Sequence, residues 1–164
     1  MYINEEVCVP IIYILCGFSF SGKTTWANSR GIKAFHYDDM KYVPERAGRK
    51  MEDFMECEIR KYGGDCVLDH TNWSEQSILS LCKRYSDYKI ILVLFDISFS
   101  QIEKNRLDSK RKIKLYMKTT KQRFDKFRTE IEKIKKLTDY EQIIITDDYY
   151  NNIEHNYEIF NFVE

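Results

Sequence analysis

The sequence predicts a three-layer α/β/α protein in which helices cover both faces of a mainly parallel sheet of about five strands. Short apolar runs rich in Ile, Val and Leu recur along the 164 residues, and segments with helical spacing of apolar side chains separate them. Strands that are apolar throughout are buried on both faces, as in parallel sheets. No repeat and no linker interrupts the alternation, so we expect one domain over residues 1–164.

Each predicted element has its own signal. Strand-length apolar runs lie at residues 9–16, 33–37, 66–69, 89–96 and 142–146. Apolar side chains at helical spacing predict helices at 23–29, 51–62, from a cap at Asn72 or Ser74 through Tyr85, from a Ser98–Gln101 capping box onward, and from after Ile113 through Leu137. Residues 42–49 are expected to form a loop. The tail after Tyr149 fits an edge strand, a helix or a docking segment.

Composition excludes several classes of protein. Lys plus Arg (26) balance Asp plus Glu (26), which argues against a basic protein that coats nucleic acid. The five cysteines are odd in number and show no CxxC spacing, which indicates reduced thiols in a cytoplasmic protein. Three histidines make a zinc site unexpected. The apolar run before Gly17 is too short to cross a bilayer, so we expect no membrane association.

A glycine-containing loop follows the first predicted strand. Residues 17–24 (GFSFSGKT) match the pattern G-x-x-x-x-G-K-[ST], with a strand before them and a helix after them. Backbone N–H groups of such a loop bind phosphate oxygens, the lysine reaches the β- and γ-phosphates, and the hydroxyl ligates Mg²⁺. We therefore expect ATP and Mg²⁺ as cofactors, with the nucleotide held by Gly17, Ser21, Gly22, Lys23, Thr24 and Thr25. Phe20 is bulky for this loop, and a turn that binds nothing is the alternative.

Acidic residues follow three further strands of the predicted sheet. Because parallel strands end at one edge, Asp38, Asp39, Asp69 and Asp96 are expected near the phosphate loop. A carboxylate at Asp38 is placed to accept a proton from an attacking hydroxyl, and the alternative is a helix cap. Either Asp69 or Asp96 could hold Mg²⁺ together with Thr24, and the sequence leaves both open.

Charge is distributed unevenly along the chain. Residues 104–136 carry fourteen Lys or Arg and four Asp or Glu, a net charge of +10, whereas residues 139–164 carry seven acidic and no basic residues. A basic helical lid at about 104–122 would let Arg106 and Arg111 hold transferring phosphate. The same surface would suit a nucleic-acid backbone, and a solvated charged helix is the alternative.

Four stretches together carry a family resemblance. They are GFSFSGKTTWA (17–27), YDDMK (37–41), VLDHTN (67–72) and NRLDSKR (105–111) leading into RFDKFR (123–128). By these stretches the chain resembles the kinase domain of bacteriophage-type polynucleotide 5′-kinases, within the wider set of small P-loop kinases, over about residues 10–146.

The resemblance implies roles for particular residues. The phosphates and Mg²⁺ would be served by Lys23 and Thr24, and the 5′-hydroxyl would be activated by Asp38. Lys41 would lie near the acceptor, where the family often has an arginine, and Asp69 lies in the segment with the family's second-strand aspartate. Arg106 and Arg111 correspond to the lid arginines, although one residue farther apart than in the family. The acceptor would be a nucleic-acid 5′ end, and we expect no phosphatase domain in this chain.

Other functions stay open at this stage. Tyr37, Lys41, His70 and Phe20 differ from the phage-type pattern, and three of them are at or near the acceptor. A kinase for a nucleoside, nucleotide or antibiotic would use the same core with a closed acceptor pocket. A nucleotide-binding module without catalysis is a further alternative, in which the aromatic, acidic tail would dock a partner. The sequence does not distinguish DNA from RNA, ATP from GTP, or one oligomeric state from another.

Overall fold

The computed structural model describes residues 8–69, 74–108 and 121–151. The strands are β1 (Ile11–Gly17), β2 (Lys33–His36), β3 (Cys66–Asp69), β4 (Lys89–Phe95) and β5 (Glu141–Ile145). The helices are α1 (Lys23–Ser29), α2 (Tyr37–Met40), α3 (Met51–Tyr62), α4 (Glu75–Arg84), α5 (Phe99–Asp108) and α6 (Lys121–Lys135).

The strands form one parallel sheet in the order β2-β3-β1-β4-β5. β4 is buried in every residue but its first, which requires cover on both faces of the sheet. The predicted α/β fold with five parallel strands is therefore confirmed. After β1 the chain forms β2 and β3 on one side of it and then β4 and β5 on the other side. The strand order therefore reverses at β1, which is the usual place for a ligand crevice.

Side-chain contacts assign helices to the two faces. On one face, the Trp26 ring of α1 lies 6.0 Å from the Tyr13 ring and 6.5 Å from the Phe95 ring. On the other face, α3 and α4 are joined by ion pairs of Arg84 with Asp53 and Glu56, and α4 packs against α6. A glycine at positive φ follows the end of α1 (Gly31) and of α3 (Gly63), because glycine adopts the left-handed conformation that commonly ends a helix.

Differences from the predicted boundaries have local causes. Tyr37 begins α2 instead of ending β2, because its buried hydroxyl donates to Glu52 of α3 at 2.7 Å. Most other boundaries agree or move by one or two residues. The Ser74 cap is present, since its hydroxyl accepts from the Ser77 N–H. The start of α6 was expected after Ile113, a position outside the described residues.

The capping box predicted at Ser98 and Gln101 is half wrong. Ser98 Oγ accepts from the Gln101 N–H at 3.2 Å, as predicted. The Gln101 side chain bonds Asn105 instead, and the Ser98 N–H donates to Asp147 after β5 at 2.8 Å. A tertiary acceptor has replaced the local one.

Three of the five cysteines, Cys16, Cys66 and Cys82, are buried free thiols, whereas Cys8 and Cys57 are exposed. Burial raises the pKa of Cys16 and of Cys66 to about 12, so neither is a nucleophile near neutral pH. Within the described residues, no helix combines the length and apolar character needed to cross a membrane.

Candidate functional site

The loop between β1 and α1 is tightly wound. Gly22 has φ of 87°, and Phe20 adopts φ of 63° despite its bulk. A Cβ at Gly17 would come within 2.8 Å of the Phe95 Cβ, so only glycine allows the loop to leave the strand this closely. The buried Ser21 hydroxyl has no hydrogen-bond partner among the described residues. The backbone thus turns tightly just before the N-terminus of α1.

Lys23 folds back across this loop. Its ammonium donates to the carbonyls of Gly17 and Phe18, at 2.8 and 3.0 Å. Burial lowers the pKa of Lys23, and the nearby charges of Asp69 and Asp38 partly oppose that shift. The ammonium therefore lies at the loop and within electrostatic range of both aspartates.

Asp69 reaches the phosphate loop from the adjacent strand. In the β1–β3 register Asp69 lies opposite Leu15, two residues before the loop begins. Its Oδ2 accepts from the Thr24 hydroxyl at 3.0 Å and lies 2.8 Å from His36 Nδ1. The Asp69 side chain is only 10% exposed, so these partners set its orientation. Two oxygen ligands converge here at the start of α1.

No pattern in the sequence singled out His36. His36 pairs with Asp69 because β2 and β3 are neighbours in register, His36 opposite Asp69. That adjacency joins residues 33 positions apart and has no local signal in the sequence. His70 lies outside the described residues.

Asp38 and Asp39 both lie exposed in the first turn of α2, immediately after β2. Only Asp38 is among the charges that raise the pKa of Lys23. The Tyr37–Glu52 hydrogen bond anchors the start of this short helix to α3. Of the two adjacent carboxylates, Asp38 is thus the one whose charge acts on the lysine.

Asp96, the competing candidate for the metal, is turned away. Its Oδ1 accepts from Arg128 at 3.1 Å and its Oδ2 from Lys135 at 2.6 Å, both on α6. The hydrogen bond with Asp96 raises the pKa of Lys135. The geometry gives Asp96 a structural role between β4 and α6 and places Asp69 next to Thr24.

Replacing Asp96 by Asn should lower stability and spare function. The side chain is 17% exposed and bonds two cations, so we expect a loss of about 1–3 kcal/mol in the free energy of unfolding. Urea denaturation measures that loss. Asp69→Asn is the matched variant, in which nucleotide-dependent activity should fall. An Asp96→Asn protein that is stable but inactive would reverse the assignment.

Two residues that sequence analysis did not single out bond to the loop backbone. Asn105 of α5 donates to the Phe20 carbonyl at 2.8 Å, and Gln101 in turn donates to the Asn105 side chain at 2.8 Å. Tyr150, in a helical turn at residues 148–151, donates its hydroxyl to the Ser21 carbonyl. Burial raises the pKa of Tyr150 to about 12, which keeps that donor protonated.

Neither contact has a sequence signal. Asn105 lies in a stretch that was notable for its arginines. Tyr150 is 129 residues away from its partner Ser21 in the sequence. A Cβ at Gly22 would collide with the Tyr150 hydroxyl, so the glycine is required here for space as well as for its φ. The first residues of the tail thus support the phosphate loop.

Removing the Tyr150 hydroxyl should loosen this loop. In Tyr150→Phe the Ser21 carbonyl loses a donor worth about 0.5–1.5 kcal/mol, so we expect ATP affinity to fall about 2- to 10-fold. Isothermal titration calorimetry measures it. Tyr149→Phe is the control. It removes a hydroxyl from the neighbouring ring, which packs against Tyr150, and leaves the bond from the Tyr150 hydroxyl to the loop in place. Equal ATP affinity in the two variants would contradict the role of the Tyr150 hydroxyl in supporting the loop.

The remaining predicted site residues are more dispersed. Thr25 and Lys41 are exposed, and Lys41 lies with its ammonium 5.6 Å from the centre of the Tyr42 ring. Arg106 bonds Glu103 on its own helix at 3.2 Å. Arg111 and most of the expected lid, residues 109–120, lie outside the described residues.

No family model and no curated protein matches this sequence. Solved structures do match. A chain of the Pnkp1/Rnl/Hen1 RNA repair complex is 21% identical, with a TM-score of 0.64 over 80% of this chain. This chain spans about half of the length of that protein, 47% in one structure and 45% in another.

Two other structures match over more of their length. A sugar kinase from Janibacter is 11% identical, with a TM-score of 0.54 over 84% of this chain and 85% of its own. Deoxyadenosine kinase from M. mycoides is 12% identical, with a TM-score of 0.50 over 94% of this chain and 100% of its own. The strand order and the loop at the end of β1 agree with that similarity, and the chain therefore has the fold of the P-loop kinases.

Proposed function

We propose that this chain is an ATP-dependent phosphotransferase whose acceptor is the 5′-hydroxyl end of a polynucleotide. The observation that carries the proposal is the convergence of Lys23, Thr24, Asp38 and Asp69 at one sheet edge. These side chains follow three different strands, which lie side by side in the sheet. An ammonium, a hydroxyl–carboxylate pair and a second carboxylate at a phosphate loop are the parts that phosphoryl transfer requires.

The loop residues bind the nucleotide in this mechanism. Backbone N–H groups of residues 17–24 and the start of α1 hold the phosphates, and the unpartnered Ser21 hydroxyl is an additional donor. The Lys23 ammonium, now bonded to two carbonyls of the loop, needs only to turn toward the β- and γ-phosphates. Phosphate oxygens then replace the carbonyls as acceptors.

Thr24 and Asp69 fit a magnesium site. Magnesium prefers oxygen ligands and is commonly held by one or two protein groups together with substrate phosphates. The two oxygens are 3.0 Å apart beside the loop, and His36 keeps Asp69 oriented toward Thr24. When bound, Mg²⁺ would neutralise charge on the β- and γ-phosphates.

Asp38 acts on the acceptor. It is exposed at the start of α2, near Lys23, and free to accept the proton of an incoming hydroxyl. Lys41, at the other end of α2, binds the acceptor, while Arg106 and Arg111 steady the charge that develops during transfer.

The choice of a polynucleotide acceptor rests on four observations. The four sequence stretches resemble polynucleotide 5′-kinases, and a structural match belongs to an RNA repair complex. The net charge of +10 over residues 104–136 favours a phosphate backbone. In addition, Asp38 lies on an exposed helix, where a strand end has access.

Transfer of label from γ-³²P-ATP tests the proposal. We expect 5′-hydroxyl oligonucleotides to be labelled in the presence of Mg²⁺, and the same oligonucleotides carrying a 5′-phosphate to remain unlabelled. DNA and RNA versions, and ATP against GTP as donor, are compared in parallel. Labelling of nucleosides without labelling of oligonucleotides would contradict the polynucleotide acceptor, but it would still support phosphotransferase activity.

A small-molecule kinase is the second candidate. One observation favours it: the deoxyadenosine kinase match covers all of that protein, whereas the RNA repair match covers about half of its chain. The exposed position of Asp38 argues the other way, since small acceptors are usually enclosed. Nucleosides in the labelling assay discriminate the two.

A further inference from the structure

We propose that the ring of Tyr42 is a stacking platform for a base near the 5′ end of the acceptor strand. This inference rests on the proposed polynucleotide kinase function and adds the element that recognises the strand. The ring is 83% exposed, more than any other large apolar side chain in the described part of the chain. A ring this exposed beside a candidate active site offers its flat face to a ligand.

Tyr42 lies one helical turn from Asp38. α2 carries Asp38 in its first turn, and Lys41 continues the helical backbone with φ of −61° and ψ of −35°. Residues four apart on a helix are neighbours, about 6 Å apart. A strand end whose hydroxyl meets Asp38 therefore has its first bases within reach of the Tyr42 ring.

The segment that carries Tyr42 is locally ordered. Backbone N–H groups of Arg46 and Ala47 donate to Val43 and Pro44, both at 3.1 Å, in a short 3₁₀ turn. The guanidinium of Arg49 then lies 5.0 Å from the centre of the buried Phe54 ring of α3. The loop is thus tied to the core, while the Tyr42 ring points to solvent.

Positive charge accompanies the ring. Residues 41–50 contain Lys41, Arg46, Arg49 and Lys50 against the single acid Glu45, a net charge of +3. The Lys41 ammonium is 5.6 Å from the centre of the Tyr42 ring. Aromatic side chains interleaved with basic ones are the arrangement that binds single-stranded nucleic acid, in which bases stack on rings and phosphates bind the cations.

Tyr42→Ala tests the inference in steady-state kinetics. We expect the KM for a 5′-hydroxyl decanucleotide to rise about 5- to 100-fold, with kcat and the KM for ATP within twofold of wild type. Tyr42→Phe and Tyr42→Trp keep a stacking surface and should retain the wild-type KM. Tyr62→Ala is the matched control. Tyr62 is also an exposed tyrosine (50%), but it ends α3 just before β3 begins, at the amino ends of the parallel strands and away from Asp38.

Binding without turnover gives a second readout. An oligonucleotide with 2-aminopurine at its 5′ end is titrated into Asp38→Asn protein, and stacking should quench its fluorescence. The quenching should persist when the same protein also carries Tyr42→Phe and disappear when it carries Tyr42→Ala. Equal quenching with Tyr42→Ala overturns the inference.

The outcomes separate this inference from the proposed function. An unchanged oligonucleotide KM in Tyr42→Ala overturns the stacking role and leaves the kinase intact. A fall in kcat at constant KM also overturns it, since the ring would then act through Asp38. Wild-type protein that labels nucleosides and no oligonucleotide overturns the polynucleotide acceptor itself.

Discussion

Asp38→Asn should lower kcat by about 10²- to 10⁴-fold while ATP still binds, because an amide cannot take the proton of the attacking hydroxyl. Asp38 is exposed, so its replacement should not weaken the fold. Label transfer to the 5′-hydroxyl oligonucleotide measures kcat, and titration calorimetry measures ATP affinity on the same preparations.

Asp39→Asn is the matched control for this prediction. The two aspartates are adjacent and exposed in the first turn of the same short helix, so the helix dipole and the solvent act on both carboxylates alike. Of these two aspartates, only Asp38 is among the charges that raise the pKa of Lys23. Asp39→Asn should therefore retain kcat within a few-fold. If the two variants lost activity equally, the helix rather than the Asp38 carboxylate would be the functional element. If neither lost activity, a nucleotide-binding module without catalysis would be the better description.

Lys23→Met should lower kcat/KM at least about 100-fold, since the lysine is the positive side chain nearest the expected phosphates. It should not lower the melting temperature. Burial depresses the pKa of Lys23 in the folded protein, so the unfolded chain holds that proton more tightly. Below the folded pKa the charge therefore disfavours folding, and this penalty is lifted only as pH rises from the folded pKa to the unfolded one.

Below the folded pKa the methionine variant thus loses a destabilising charge, and it keeps the apolar stem. Its melting temperature should equal or exceed that of wild type, measured by thermal denaturation. Lys83→Met, at an exposed position on α4, is the control for removal of one positive charge and should change neither property. A large loss of stability in Lys23→Met would indicate that the lysine serves the fold through the Gly17 and Phe18 carbonyls.

The sequence predicted the phosphate loop because its parts are local. Strand, glycines, lysine and threonine follow one another within residues 11–24, so spacing and hydrophobic pattern were sufficient. The five strands and most helix boundaries were also confirmed, since each has its own apolar periodicity. The Ser98 box failed in part because the tertiary acceptor Asp147 competed with the local one.

The choice between Asp69 and Asp96 needed the tertiary structure. Both aspartates follow an apolar strand, and nothing near either one distinguishes them. The register of β1 with β3 brings Asp69 to Thr24, whereas α6 supplies two cations that hold Asp96 away.

The sequence alone predicted a parallel α/β fold and a glycine loop between β1 and α1, because residues close in the chain carry both features. Only the folded chain shows that His36 orients Asp69 and that Tyr150 and Asn105 bond to the loop. The physical reason is sequence distance. Contacts between residues tens of positions apart arise from strand order and helix packing, which no local pattern records.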